Sequence, residues 1–231
     1  MTTSSTYNFN LTVDSIVEEA AERAKINPQT LSGQALRSAK RSLDLLLLQL
    51  SAKNVPIWCL DQIDLPLIVG QATYTLASPT RDILQGAIRQ NGVDIPIRRL
   101  DQADYLNIPN KTASGRPVQY FTQLTTTTPT VTFWPVPDIA GYSFFHWRIR
   151  KIQDVGAATN TLDIPPIFLP AIVEGLAIEM LRKKPFDAAT TPLDMQLIES
   201  IKPNYDYLLD IAETEFRERT SFNVFPFYGR I

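Results

Sequence analysis

The spacing of apolar residues changes twice along this chain, and that change limits what it can fold into. Near the start, Ile16, Val17, Ala20, Ala21 and Ala24 recur at helical spacing. A longer stripe follows, formed by Leu31, Ala35, Leu36, Ala39, Leu43, Leu46, Leu47 and Leu50. These stripes predict helices over about Asp14 to Lys25 and Leu31 to Lys53. Thr12 is placed to cap the first helix, with Asp14, Glu18 and Glu19 near the positive end of its dipole. Asn27-Pro28 and Asn54-Val55-Pro56 are stops, because a residue before proline avoids the α region.

From Trp58 to Asp154 the signals are those of short strands. Leu65 to Leu76 predicts two strands around Gly70-Gln71. Ile83 to Arg89 and Val93 to Arg99 flank Asn91-Gly92, a pair suited to the positive φ angles of a tight hairpin. Pro117 to Leu124, Thr130 to Trp134 and Gly141 to Ile149 add three more strands, and the set predicts a small antiparallel sandwich or barrel. Helical spacing returns after Asp163-Ile164-Pro165-Pro166, a helix-entry signal. Ile172, Val173, Leu176, Ala177, Met180 and Leu181 stripe a third helix. Thr191-Pro192-Leu193-Asp194 opens a fourth, which carries Leu197, Ile198, Ile201, Tyr205, Leu208, Leu209, Ala212 and Phe216. Pro203 is expected to kink that helix or split it.

The chain therefore reads as α+β: a bundle of about four helices carrying an inserted, small antiparallel β-rich domain, with an extended C-terminal arm. Residues 1–57 and 160–219 are assigned to the bundle, 58–159 to the insertion and 220–231 to the arm. Seventeen prolines against nine glycines favour fixed turns over supple linkers.

Little in the sequence supports catalysis. His146 is the sole histidine, sits in an aromatic strand and has no nucleophile signature beside it; it is expected to pack in or on the sheet. With Cys59 the lone cysteine, no internal disulfide and no cysteine-paired zinc site can form, and Cys59 reads as core filler. No phosphate-binding glycine motif occurs. Carboxylate pairs exist at Glu18/Glu19, Glu174/Glu179 and Glu213/Glu215, as 24 acidic residues make inevitable; a solvated helix face explains them better than a glycosidase centre. No catalytic, cofactor or metal residues are assigned.

Charge narrows the partners. Twenty-two basic against 24 acidic residues leave a net of -2, unlike a protein that coats duplex DNA. Basic clusters occur at Arg37/Lys40/Arg41, Arg148/Arg150/Lys151 and Arg182/Lys183/Lys184, each able in principle to meet phosphates. The N-terminus lacks the pattern of a secretory signal, and the longest apolar run, Leu45 to Leu48, is too short for a membrane span. A soluble protein made in a reducing cytoplasm is expected. The last segment, Thr220 to Ile231, gathers Phe222, Phe225, Phe227 and Tyr228 without a helical stripe. Its aromatics are costly to leave in water, and an extended, proline-containing segment favours docking on a partner by strand addition or groove filling.

An ordered set of motifs runs through the middle of the chain. It comprises Gly70-Gln71-Ala72-Thr73-Tyr74-Thr75-Leu76 with Asp82, Ile95-Pro96-Ile97-Arg98-Arg99-Leu100 with Asp104-Tyr105, and Pro109-Asn110-Lys111 with Gly115-Arg116-Pro117 and Tyr120-Phe121. Phe133-Trp134-Pro135-Val136-Pro137 follows, then Asp163-Ile164-Pro165 leading into Leu176-Ala177. In this order the chain resembles the tail accessory, or head-to-tail adaptor, proteins of P22-like podoviruses over roughly residues 58–185. The resemblance implies a structural protein of the virion's head-tail junction, assembled as a twelvefold ring below the portal. Such a ring extends the DNA channel and seats the tail, nozzle or fibre proteins, and DNA passes through it without sequence-specific binding.

On that reading Phe222, Phe225, Phe227 and Tyr228 anchor the portal, and Arg37, Lys40 and Arg41 face the DNA channel or a neighbouring subunit. Two alternatives remain open: a virion hydrolase acting on cell-wall peptidoglycan, and a different tail or baseplate completion protein. A DNA-binding regulator would need a basic recognition helix, and the leucines beside Arg37, Lys40 and Arg41 suit a core better.

Overall fold

The computed structural model describes residue 5 and residues 9–53, 57–125, 129–183 and 192–215. Contacts divide the chain into two compact units, one drawn from residues 1–48 and 154–231 and the other from residues 49–153.

The first unit is helical. Helix α1 spans Val13–Arg23 and is capped by Thr12, whose hydroxyl accepts from the Ser15 amide. Its end precedes the Asn27-Pro28 stop. The Lys25 amide donates to Glu22 and the Ile26 amide to Ala21, while Lys25 takes φ 57°. This is a Schellman closure with lysine at the position that glycine usually fills. A short 3-10 turn at Pro28–Thr30 then leads to helix α2, Gly33–Lys53, whose first turn receives the Ser32 hydroxyl. The predicted start at Leu31 is therefore two residues early. Ala39, Leu43, Leu46 and Leu47 are buried as the stripe predicts, whereas Leu36 lies at the surface.

The helix after Pro165 begins as a 3-10 turn, Pro166–Phe168, and continues as an α-helix over Leu169–Lys183. A second helix covers Pro192–Glu215 without a break; Pro203 does not split it, and its ring sits at an exposed position. Thr191, expected to cap it, and Phe216 lie outside the described residues.

The second unit is a sandwich of two four-stranded sheets. Strands β1 (Leu60–Pro66), β2 (Thr73–Thr75), β3 (Thr80–Gln90), β4 (Val93–Pro96) and β5 (Arg98–Leu100) come first. A short helix, α3 (Gln102–Leu106), intervenes before β6 (Gln119–Gln123), β7 (Thr130–Trp134) and β8 (Ser143–Arg150). One sheet runs β1-β8-β3-β4 and the other β2-β7-β6-β5. The β3–β4 hairpin turns on Asn91 at φ 49° and Gly92 at φ 79°, as the Asn-Gly pair predicts. Strand β1 pairs with β8 from Leu60↔Ile149 to Pro66↔Ser143, so the first and last strands of the unit are neighbours.

One pairing departs from the antiparallel expectation. Past Pro96 the chain leaves β3 and crosses to the other sheet, where β5 lies parallel to β6. Helix α3, unanticipated in the sequence, begins where the Asp101 side chain accepts from the Asp104 amide. Tyr74, Ile83, Ile88, Tyr120, Val131, Phe133 and Phe144 fill the space between the sheets. Phe144 is the hub, with the rings of Tyr120, Phe133 and His146 centred 5.2, 4.9 and 4.5 Å from it.

Candidate functional site

For the helices after Pro165, α4 denotes Leu169–Lys183 and α5 denotes Pro192–Glu215. A helix buried on every side is a core element. Helix α4 fits that description, since Ala171, Ile172, Val173, Glu174, Gly175, Leu176, Ala177 and Ile178 are all buried. Its smallest residue is where neighbours come closest. A side chain at Gly175 would meet Leu46 of α2 and the Tyr205 ring of α5. One charge lies inside the packing. Glu174 accepts from Arg23 of α1 at 2.8 Å and from the Asn204 amide group of α5 at 2.7 Å. These bonds compensate its desolvation and join three helices at one carboxylate. Ser42, buried on α2, meets Lys183 Nζ at 2.6 Å.

This framework decides which cations remain at the surface. Lys183 is committed to Ser42, and Arg182 pairs with Glu179 at 2.7 Å. In the sandwich, Arg148 donates to Asp61 at 3.1 Å and to the Thr80 hydroxyl, and Arg150 lies 3.7 Å from the same carboxylate. These two cations therefore tie β8 to β1. On α2, Lys40 donates to the Gly156 carbonyl at 2.7 Å. Arg37 and Arg41 are exposed on one face and make no ion pair among the described residues. Of the three residues proposed from sequence on that helix, two are thus turned to solvent and one is engaged within its own unit.

His146, Cys59, Glu19 and Glu179 serve packing or ion pairs. His146 is 2% exposed, its Nδ1 is 3.1 Å from the Phe144 carbonyl, and burial pushes its imidazole below the usual histidine range. Cys59 is a buried thiol outside any disulfide. Glu19 and Glu179 pair with Arg23 and Arg182. A cleft of about 750 Å³ in the sandwich is lined by Arg99, Asp101, Tyr105 and Phe121, with Asp101 its one carboxylate, already capping α3. A cleft of about 770 Å³ beside α1 has Glu19 as its one carboxylate. No group of three or more metal-ligating side chains occurs among the described residues, and no described helix is long and apolar enough to cross a membrane. Phe222, Phe225, Phe227 and Tyr228 lie outside the described residues, as does Lys184.

The sequence model of the SU10 adaptor protein family matches residues 11–202, which spans both units. The chain belongs to the SU10 adaptor protein family. A search of the curated proteins found no match. Membership supports the adaptor part of the resemblance. The SU10 adaptor match begins beside α1 and runs into α5, so it takes in residues of both units.

Proposed function

We propose that this SU10 adaptor family member is a head-to-tail adaptor of a phage virion. It binds below the portal as a ring, extends the DNA channel and seats the tail proteins. The observation that carries the reading is the adaptor family match across residues 11–202. Near-neutral charge supports it, because a lumen lined by such a protein lets DNA slide rather than bind. A closed ring repeats one heterologous contact until rotation completes the circle, and the resemblance implies twelve copies. Arms at residues 220–231, with Phe222, Phe225, Phe227 and Tyr228 as anchors, would turn weak single grips into a strong collective one through effective concentration. The hydrolase alternative gains nothing from the two clefts, each of which offers a single carboxylate where a glycosidase needs a pair.

The test is to mix the purified chain with purified portal rings of the same phage and weigh the product by native mass spectrometry. A discrete complex with a fixed number of copies is expected, and deletion of residues 220–231 abolishes it while circular dichroism stays unchanged. Folded protein and intact portal that form no complex would overturn the proposal.

A further inference from the structure

The outward faces of α2 and α5 are opposite in charge and alike in apolar character. On α2 the stripe facing away from the buried leucines runs Arg37, Arg41, Leu45 and Leu48, the last two being 57% and 63% exposed. The one acid of α2, Asp44, accepts from the Val155 amide, so its carboxylate is engaged within the helical unit and two arginines outnumber it on that side. On α5 the exposed residues include Glu199, Asp206, Tyr207, Asp210 and Ile211, against the base Lys202. Tyr207 is 64% exposed, and Asp206 and Asp210 make no ion pair among the described residues. The charged pairs match in spacing: Arg37 and Arg41 stand about 6 Å apart along their helix, as do Asp206 and Asp210. Both helices turn their inner sides to α4, where Leu46 and Tyr205 meet at Gly175. Their outer faces therefore diverge from a shared core, and one copy cannot bring them together.

We infer that α2 of one copy packs its basic and apolar face on the acidic and apolar face of α5 of a second copy. This deepens the adaptor proposal and rests on it for the ring, since a ring of identical subunits needs one contact between two unlike surfaces. Arg37 and Arg41 meet Asp206 and Asp210, which have the same four-residue spacing, and Leu45 packs beside Ile211. Charge then sets the pairing: two α2 faces repel each other, as do two α5 faces. Leucines in line with the arginines suit a helix partner better than a phosphate backbone, so DNA is an outcome of the test rather than the proposed occupant.

Leu45→Cys and Ile211→Cys are introduced together in the full chain, with the buried Cys59 serving as the control thiol. The protein, both concentrated alone and mixed with portal rings, is treated with a short bis-maleimide and resolved by mass. A ladder of covalent multimers is expected, while each single substitution yields monomers. Arg37→Glu with Arg41→Glu lowers the ladder at least about tenfold, as like charges across an interface require. Adding Asp206→Lys with Asp210→Lys restores it.

Absence of multimers while copies still assemble on the portal overturns this contact and leaves the adaptor reading standing. Absence of both overturns both, and a charge-sensitive ladder without portal binding upholds the contact and sinks the adaptor reading. Three further results overturn the inference. Dimers from Leu45→Cys alone would mean that like faces meet. Shielding of both single thiols in the monomer would mean that the chain's own C-terminal segment covers them. Loss of duplex DNA retention on Arg37→Glu with Arg41→Glu, with cross-linking unchanged, would assign the face to DNA.

Discussion

Gly86→Ala strikes the point where the sandwich has least room. Gly86 sits on β3 opposite His146 of β8, and a Cβ placed there falls 2.2 Å from Phe144 Cε2 and 2.5 Å from Cζ. Carbon atoms in contact sit roughly 3.5–4.0 Å apart, so the methyl group intrudes by more than an ångström. Phe144 is fully buried and hemmed in by the rings of Tyr120, Phe133 and His146, so it has no vacant rotamer to take. Strand β3 must move instead, yet the Gly86 carbonyl accepts from the Ile97 amide. The cost is placed at about 3 kcal/mol, the upper end of over-packing. A reduction of about 0.5 kcal/mol follows from the less flexible unfolded chain.

All three tryptophans, Trp58, Trp134 and Trp147, lie within residues 49–153, so their fluorescence reports this unit. With a urea dependence of about 2 kcal/mol per molar, the transition midpoint should fall by about 1.2 M. In a Phe144→Leu background the penalty of Gly86→Ala should shrink by at least about 1 kcal/mol, because the substituted groups are in contact. A loss below about 0.5 kcal/mol for the single variant, or strict additivity in the double variant, would refute the steric argument.

Two further outcomes follow from described contacts. His146 is held neutral by burial, so the folded state binds its proton only at a pH below the ordinary value of 6.5, whereas the unfolded chain binds it near 6.5. Its contribution is fully present above pH 6.5 and is lost as the pH falls from there through the folded value; urea midpoints measured from pH 7 to 5 should show this decline, and His146→Phe should flatten it. Lys25 holds a left-handed conformation at the end of α1, so Lys25→Gly should raise the stability of the helical unit by about 0.5–1 kcal/mol, read from ellipticity at 222 nm in urea; a neutral or lower midpoint would show that the lysine side chain contributes more than its strain costs.

The fold class was legible because both periods were strong. Leucines three and four apart, and strand formers punctuated by Asn91-Gly92, leave few alternatives. What escaped was decided by packing or by local bonds. Helix α1 stops at Arg23 because the Ile26 and Lys25 amides close on Ala21 and Glu22, a pattern that lysine does not advertise. The parallel β5–β6 pair depends on a crossing between sheets, which no local spacing encodes. Pro203 sits on the wet side of α5, where its missing amide hydrogen and ring are tolerated within one helix.

The surface of α2 was partly readable in advance. Four consecutive leucines, Leu45 to Leu48, cannot all face one core at 100° per residue, so two of them had to point outward. The matching face on α5 gave no such signal, because Tyr207 and Ile211 resemble core residues until burial shows otherwise. The roles of the cations were also hidden: Arg148, Arg150 and Lys183 look as available in sequence as Arg37 and Arg41, and only their partners tell them apart.

Within the sandwich, entry at Leu60 and exit at Ile149 are paired strands. Within the helical unit, Asp44 on the way out is bonded to Val155 on the way back. Each unit thus presents its two chain ends side by side, the geometry under which one folded body can be spliced into another. Evolution can then treat the sandwich as an exchangeable cassette, diversifying or replacing it between lineages while the helical core that accepts it keeps its sequence rules. A laboratory can use the same seam, grafting a foreign domain between the two ends without redesigning either body.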